Sequence, residues 1–523
     1  MAAHRMIPPR EARILPPASV LLALIVGGCG GERAAPVGPS ASDTAAPSGP
    51  DTVVASIRIT PSERTIGFLG TRFRPSAEAL AADGTTLYRT AFDPDRFTWS
   101  SSAPEIASVS ADSILPNGGS TRTVTGLSEG TATITATSQG VTGRLTVTVR
   151  ERARVAWSVP LEWSFPEGSN GGTIRAGVAI GADGTIYVGW NDNPGERSQW
   201  YALSPRGGIL WTVDLPGVSW STPAFGADGT IYLASQAGNL VAVDPAGSVR
   251  WLLDNLVAIS SSPAIGLDGT IYVAARHGVH AVDADGEVQW TYETSGATFF
   301  LSSPAVASDG TIYVGGMDGR LHAINRDGSA RWTFRASDRV WSPSSIGPDG
   351  AIHFGTLDGL LYAVNPDGSE RWSVSVSHTP VGSPPSVGPD GAIHVLGAGL
   401  FAVNPDGSIR WHFRTRTSGY PTTPVLGADG NVYTASGPAV TALDAQGGLL
   451  WDYHPGSGAP WDGYISASPA IGVDGTIIAT SFSYTDGGTI HGIVETESAN
   501  GGHAGSPWPT ERGNPANTGR AGG

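Results

Sequence analysis

The chain has 523 residues, with 72 glycines, 39 prolines, 15% charged residues and a single cysteine. This composition suits short strands joined by tight turns, and the length suggests two or three domains. Arginine supplies all 31 basic residues against 46 acidic ones, which gives a net charge of −15. A net negative surface repels phosphate backbones and argues against nucleic-acid binding. One cysteine excludes an intramolecular disulfide.

The first 28 residues have the order of a secretory signal. Three arginines within the first 13 residues precede an apolar run over 18–28, which is short for a membrane span. The sequence Val26-Gly-Gly-Cys29 resembles a bacterial lipobox. That resemblance implies cleavage before Cys29 and lipid attachment at its sulfur. An ordinary signal peptide with an incidental cysteine is the alternative.

Residues 29–51 are rich in alanine, proline, serine and glycine. They carry too few large apolar side chains for a core and are predicted to form a disordered tether. Residue 30 is Gly and not Asp. By resemblance to lipoproteins of diderm bacteria, this implies sorting to the outer membrane. The sequence does not distinguish the periplasmic side from the cell surface.

Residues 52–150 alternate apolar and polar side chains with period two, as in Thr131–Ala136 and Gly143–Val149. Turn residues such as Asp83-Gly84 separate these segments. About 100 residues of short strands predict an Ig-like sandwich. The stretches 99–109 and 126–136 resemble the bacterial Ig-like domain of group 2. Such domains occur in adhesins and often act as spacers.

From residue 151 the chain repeats. Asp-Gly pairs recur at steps of 39 to 45 residues, and between them lies a motif of the form Ala242-Val-Asp-Pro-Ala-Gly-Ser-Val-Arg-Trp251. The Asp-Gly pairs of this series, one per unit, begin at Asp183, Asp228, Asp268, Asp309, Asp349, Asp390, Asp429 and Asp474. Each unit contains four strand-length segments, A to D, so residues 151–495 are predicted to form an eight-bladed β-propeller. The whole chain is therefore all-β.

The last unit lacks a usual D strand, whereas the strand around Trp157 precedes the first A strand. We expect residues 154–159 to supply that strand and close the ring, since closure removes two sheet edges. The repeat resembles that of pyrroloquinoline-quinone dehydrogenases and of the propeller lipoprotein of the outer-membrane β-barrel assembly machinery. The resemblance implies that the repeated tryptophans pack between blades. A tail over 496–523 has no assigned role.

Candidate chemical groups in the repeat have structural explanations. Aligned on the Asp-Gly pair, His353 and His394 replace a repeated tyrosine, so we expect packing and no metal site. The Asp-x-Asp-Gly turns, such as Asp283–Gly286, are too short for calcium loops and suit hairpins. The quinone dehydrogenases hold their cofactor with a vicinal disulfide, which a single cysteine cannot form. No catalytic residue and no cofactor are predicted.

Aromatic residues concentrate in the D–A and B–C connections, which share one face of a propeller. This variable face is the candidate binding surface for a protein or a glycan. Its candidate residues are Trp190, Trp200, Trp220, Phe300, Trp341, Tyr420 and Trp461, with Arg335, Arg339, Arg414 and Arg416 nearby. Loops that simply pack on each other are the alternative.

The sequence therefore favours an exported, lipid-anchored envelope protein with a non-catalytic binding or scaffold role. Its partner is expected to be an envelope protein or a glycan, and its location the outer membrane. A quinone-dependent dehydrogenase or a propeller lyase is the alternative from another functional class.

Overall fold

The structure is a computed structural model that describes residues 53–89, 96–114, 120–161, 173–174, 176–191, 197–254, 256–294, 300–415, 422–455, 464–465, 467–483 and 487–496. The predicted signal peptide, the tether and the tail beyond Thr496 lie outside these residues. All regular secondary structure in the described residues is extended strand. None of it forms a helix long and apolar enough to cross a bilayer.

The first ten strands form a sandwich, as predicted. They are β1 (Ser56–Thr60), β2 (Glu63–Ile66), β3 (Arg72–Phe73), β4 (Ser76–Leu80), β5 (Thr86–Arg89), β6 (Thr98–Ser101), β7 (Ala107–Ile114), β8 (Ser120–Gly126), β9 (Gly130–Ser138) and β10 (Val141–Val149). They pair as three sheets, β1-β4-β5, β2-β10-β9-β6 and β3-β8-β7. Inward residues such as Ile134, Leu145 and Val147 are buried in one core, because alternate positions of β9 and β10 face it.

Eight four-stranded antiparallel sheets follow, and we call them sheets 1 to 8. Sheets 1 to 4 contain β12 (Ala179–Ile180), β13 (Ile186–Asn191), β14 (Arg197–Leu203), β15 (Ile209–Pro216); β16 (Ala224–Phe225), β17 (Ile231–Ala234), β18 (Leu240–Val243), β19 (Val249–Leu253); β20 (Ala264–Ile265), β21 (Ile271–Ala275), β22 (Gly278–Val282), β23 (Val288–Glu293); β24 (Ala305–Val306), β25 (Ile312–Gly315), β26 (Arg320–Ile324), β27 (Ala330–Arg335). In each sheet these are strands A, B, C and D in chain order.

Sheets 5 to 7 repeat this order. They contain β28 (Ser345–Ile346), β29 (Ile352–Gly355), β30 (Leu360–Val364), β31 (Glu370–Ser375); β32 (Ser386–Val387), β33 (Ile393–Leu396), β34 (Leu400–Val403), β35 (Ile409–Phe413); β36 (Val425–Leu426), β37 (Val432–Ser436), β38 (Ala439–Leu443), β39 (Leu449–Tyr453). Neighbouring A strands contact each other, for example β16 with β20 and β28 with β32, so the A strands form the inner layer.

Sheet 8 confirms the predicted closure. It contains β40 (Ala470–Ile471), β41 (Ile477–Ser483) and β42 (Gly487–Glu495), and its fourth strand is β11 (Ala153–Leu161). β11 pairs with β42 from Ala153 opposite Glu495 to Leu161 opposite Gly488, with an irregularity between Val155 and Trp157. β12 also contacts β40, which joins sheet 1 to sheet 8.

The repeated tryptophan of strand D links consecutive sheets, as the family resemblance implies. In sheets 1 to 6 its indole N–H donates to a main-chain carbonyl in the C–D turn of the next sheet, at 2.8 to 3.0 Å. A glycine of that turn lies on the indole ring; Gly247, for example, has room for no Cβ, which would lie 2.7 Å from Trp211. Gly247 also has a φ of 91°, which favours glycine. The contact therefore requires a glycine on both counts.

Candidate partner-binding face

The D–A connections place three consecutive residues in the same way in sheets 2 to 6. The first is buried, the second is half-buried, and the third is a buried serine just before strand A. The half-buried positions are Trp220, Ser260, Leu301, Trp341 and Gly382. Because the A strands form the inner layer, these five residues lie at the start of that layer on the variable face. We call them the rim.

Trp220 is held by its two neighbours. The Ser219 N–H donates to Asn191 Oδ1 at 2.8 Å, and the Ser219 carbonyl accepts from Asn191 Nδ2 at 2.9 Å. The Ser221 hydroxyl donates to the carbonyl of Ala234 at 2.8 Å. Both serines are buried. The backbone on each side of Trp220 is therefore fixed, and the indole side chain remains half-exposed.

Trp341 is held in a similar way by different chemistry. The Val340 side chain is buried against Gly315, where an added Cβ would lie 2.5 Å from Val340 Cγ1. The Val340 N–H donates to the carbonyl of Gly316 at 3.1 Å. On the other side, the Ser342 hydroxyl donates to the carbonyl of Ser383 at 2.8 Å. The two rim tryptophans are thus presented from equivalent, internally bonded positions.

Arginines lie close to Trp341 in the chain and are exposed. Arg335 ends β27, and Arg339 lies two residues before Trp341. The Arg339 carbonyl accepts from the N–H of Leu357, which ties this connection to the B–C turn of sheet 5. Arg414 is also exposed, whereas Arg416 lies outside the described residues. Rigid tryptophans beside arginines are typical of residues that anchor protein interfaces.

The prediction of an exposed position on the variable face is wrong for three residues, because their side chains are buried. Trp190 and Trp200 are 0% and 1% exposed, and Phe300 is 0% exposed. Strands β13 and β14 extend beyond the repeat pattern, so Trp190 and Trp200 are strand residues inside two hydrophobic cores. Phe300 packs edge-on against His322 at 5.3 Å. None of the three offers a surface to a ligand.

Tyr420 and Trp461 lie outside the described residues, as does Cys29. Trp220 and Trp341 are the two predicted aromatics that the structure describes as half-exposed. The prediction missed Ser260, Leu301 and Gly382, which share their position. The sequence marks these positions, since each rim residue directly precedes a serine that lies three positions before the first residue of strand A.

The histidines of strand B fill the tyrosine position, as predicted. His353 lies 5.8 Å from Trp372 and His394 lies 5.6 Å from Trp411, between ring centroids. The tyrosine Tyr232 lies 5.9 Å from Trp251 in the same slot. Burial lowers the pKa of His353 and of His394 to about 4, so both imidazoles are neutral at pH 7. They are packing residues.

The Asp-Gly turns are hairpin turns, as predicted. Asp283 Oδ1 accepts the N–H groups of Asp285 and Glu287 at 3.0 and 2.9 Å. In the A–B turns the aspartate binds the residue two positions on, as Asp228 binds Thr230. Hydrogen bonds from Thr230, with a smaller contribution from Arg250, lower the pKa of Asp228 to about 2. These carboxylates are already satisfied by the protein.

A cavity of about 230 Å³ lies between sheets 5 and 6 on the opposite face. Its lining includes His353 and the ion-paired groups Asp349, Arg371 and Asp390. Across the described residues, no three histidine, cysteine or carboxylate side chains converge in a way that could hold a metal ion.

Comparison with known proteins gives two family matches. The bacterial Ig-like domain (group 2) matches residues 71–149. The family PQQ_2, described as outer membrane protein assembly factor BamB, matches residues 196–340 and 357–502. No curated protein matches the chain.

Three solved structures resemble the chain at low identity, and the two with a TM-score above 0.5 show a shared fold. BamB from Moraxella catarrhalis is 19% identical, with a TM-score of 0.49, over 65% of this chain and 97% of that one. A europium-containing methanol dehydrogenase is 13% identical, with a TM-score of 0.52, over 65% of this chain and 93% of that one. Sqt1 from Chaetomium thermophilum is 13% identical, with a TM-score of 0.52, over 63% and 98%. At these identities the likeness shows the fold alone. Because the family match covers more than half of its residues, the chain belongs to the PQQ_2 family, described as outer membrane protein assembly factor BamB.

Proposed function

We infer that this protein is a non-catalytic scaffold of the cell envelope and that it binds a protein partner through the rim. The main observation behind this proposal is that Trp220 and Trp341 lie half-buried at equivalent positions, each between two buried neighbours. Rigid tryptophans lose little conformational entropy on binding, so they make effective anchors. The description of the family as an assembly factor supports a protein partner.

The proposal includes the predicted lipid at Cys29 and an outer-membrane location. Both come from the N-terminal sequence, and the family's description as an outer-membrane assembly factor supports the location alone. The proposed partner is a protein of the cell envelope. A glycan ligand and quinone-dependent oxidation are outcomes that the test must distinguish.

The test is a pull-down from envelope extract with the lipidated full chain and with a Trp220→Ala, Trp341→Ala variant. We expect the double substitution to reduce capture of the protein partner by at least about tenfold, since an anchor is worth about 2 kcal/mol or more. Both side chains are half-buried, so the melting temperature is measured in parallel and capture is compared at a temperature where parent and variant are folded. Quantitative mass spectrometry of the captured proteins measures the loss.

Leu267→Ala is the matched control, since Leu267 is a 71% exposed apolar residue in an A–B turn on the opposite face. Equal capture by the double variant and the parent contradicts the rim as the binding site. Binding on a glycan array without protein capture replaces the scaffold with a glycan receptor. Dye-linked alcohol oxidation on addition of the quinone replaces it with an enzyme.

A further inference from the structure

The eighth sheet lacks a part that the other sheets have. Its C strand, β42, lies at the end of the propeller and its D strand, β11, at the beginning, so no C–D turn joins them. In sheets 1 to 6 the tryptophan of strand D contacts the C–D turn of the following sheet. Trp451 in β39 of sheet 7 has no such turn ahead of it. Its packing must come from elsewhere.

The missing hydrogen-bond acceptor is replaced by a carboxylate. The Trp451 indole N–H donates to Glu495 Oε1 at 2.8 Å, where the corresponding tryptophans use a main-chain carbonyl. Glu495 ends β42, directly opposite Ala153 of β11. The Thr496 N–H then donates to the Arg152 carbonyl at 2.8 Å. Trp451 is thereby connected to the strand pair that closes the ring.

A glycine of the Ig-like sandwich packs on Trp451, against its Cβ and backbone and not against the indole ring as the turn glycines do. Gly67 follows β2, and a Cβ on it would lie 2.7 Å from Trp451 Cβ and 2.2 Å from the carbonyl oxygen of Leu450. The adjacent Phe68 is 8% exposed, with its ring centroid 6.2 Å from that of Trp451 and 4.8 Å from that of Tyr453. Trp451 is consequently only 1% exposed, whereas its counterparts are half-buried.

Polar contacts hold the same segment on both sides of the seam. The N–H of Arg152, next to β11, donates to the Gly67 carbonyl at 2.9 Å. On β39 the Thr71 hydroxyl donates to the carbonyl of Asp452 at 2.9 Å, and Arg64 forms an ion pair with the Asp452 carboxylate at 3.3 Å. One short segment therefore contacts sheet 7 and the closing strand together.

We propose that the Gly67–Phe68 segment of the Ig-like sandwich takes the place of the missing C–D turn of sheet 8 and locks the seam of the propeller. The sandwich is then a structural part of the ring and not a freely hinged spacer. The seam consists of β11, β39 and β42, and its packing depends on a domain that precedes the propeller in the chain.

Hydrogen exchange of the full chain, followed by mass spectrometry, tests this. Gly67→Val introduces the clash with Leu450 and Trp451, and Phe68→Ala removes the covering ring with less strain. We expect each variant to speed exchange of the β11 and β39 amides by about tenfold or more, while β9 and β10 exchange as in the parent. Phe97→Ala is the matched control, because Phe97 is a buried sandwich phenylalanine in the core away from the seam.

The control should speed exchange within the sandwich more than it does in β11 and β39. If Gly67→Val and Phe68→Ala raise exchange only within residues 56–149, the segment serves the sandwich alone and the proposal fails. It fails equally if the exchange of β11 and β39 is unchanged in both variants. If Gly67→Val does not fold, Phe68→Ala decides between these outcomes.

Discussion

Sheets 2 to 7 and sheet 8 receive the tryptophan of the preceding sheet by different means. In sheets 2 to 7, strands C and D are joined by a hairpin whose glycine and carbonyl contact that tryptophan. In sheet 8 the two strands come from opposite ends of the propeller. Trp451 there contacts the Glu495 carboxylate of β42 and Gly67 of the Ig-like sandwich. The difference shows that the inter-sheet contact needs a close approach and an acceptor, and that a hairpin is one of several ways to supply them.

Deletion of residues 151–160 is expected to have the largest effect on stability. The loss of most of β11 exposes the edge of β42 and the core beneath it, so we expect the melting temperature to fall by more than about 10 °C. Differential scanning calorimetry measures the change. Arg154→Ala, which alters an exposed residue of the same strand, should leave the melting temperature nearly unchanged. An unchanged melt for the deletion contradicts the dependence of the ring on β11.

A smaller effect should distinguish the seam tryptophan from a repeat tryptophan. Trp451→Ala removes a fully buried side chain and should cost about 3–5 kcal/mol in the free energy of unfolding. Trp332→Ala removes a half-exposed side chain with an equivalent indole hydrogen bond, so its cost should be lower. Urea unfolding of the two variants gives the comparison. Equal costs would mean that the covering by Phe68 contributes nothing.

The smallest expected effect concerns pH at the seam. His491 of β42 shares hydrogen bonds with Ser158 of β11 and with Ser481, and burial lowers its pKa to about 4. The unfolded chain takes up a proton at this histidine near its usual pKa of about 6.5, whereas the folded chain does not. Stability is therefore full above pH 6.5 and falls as the pH drops towards 4, by on the order of 3 kcal/mol for this group.

His491→Phe should reduce that fall, since phenylalanine occupies the matching position at Phe401 in sheet 6. Chemical unfolding at pH 7 and at pH 4.5 measures the change in stability for parent and variant. A parent-like fall in His491→Phe would exclude this group as a source of acid sensitivity.

Much of the fold could be predicted because the repeat provides its own internal alignment. The missing D strand after β42 and the extra strand around Trp157 together indicated the closure that the structure shows. The same alignment placed His353 and His394 in a tyrosine position, and their packing confirms it. In both cases the information is local or periodic, so a single sequence contains it.

The predictions that failed concern residues at which the sequence departs from the repeat pattern. Trp190 and Trp200 were assigned to a loop because they lie beyond the usual length of strands B and C. In the structure β13 and β14 extend through them, and both side chains are buried. The contact of Gly67 with Trp451 joins residues almost 400 positions apart in two different folds, and neither periodicity nor composition marks it. The rim was partly visible, since two of its five positions carry tryptophan.

The hydrogen-bond acceptor of each repeat tryptophan affects how the number of repeats could change in evolution. A backbone carbonyl and a glycine, as at Pro245 and Gly247, do not identify the repeat to which they belong. Duplication or loss of a whole unit between sheets 1 and 7 would leave every remaining tryptophan with a compatible neighbour. The junction at Trp451 depends on specific residues, Gly67 and Glu495, so such an event must preserve it.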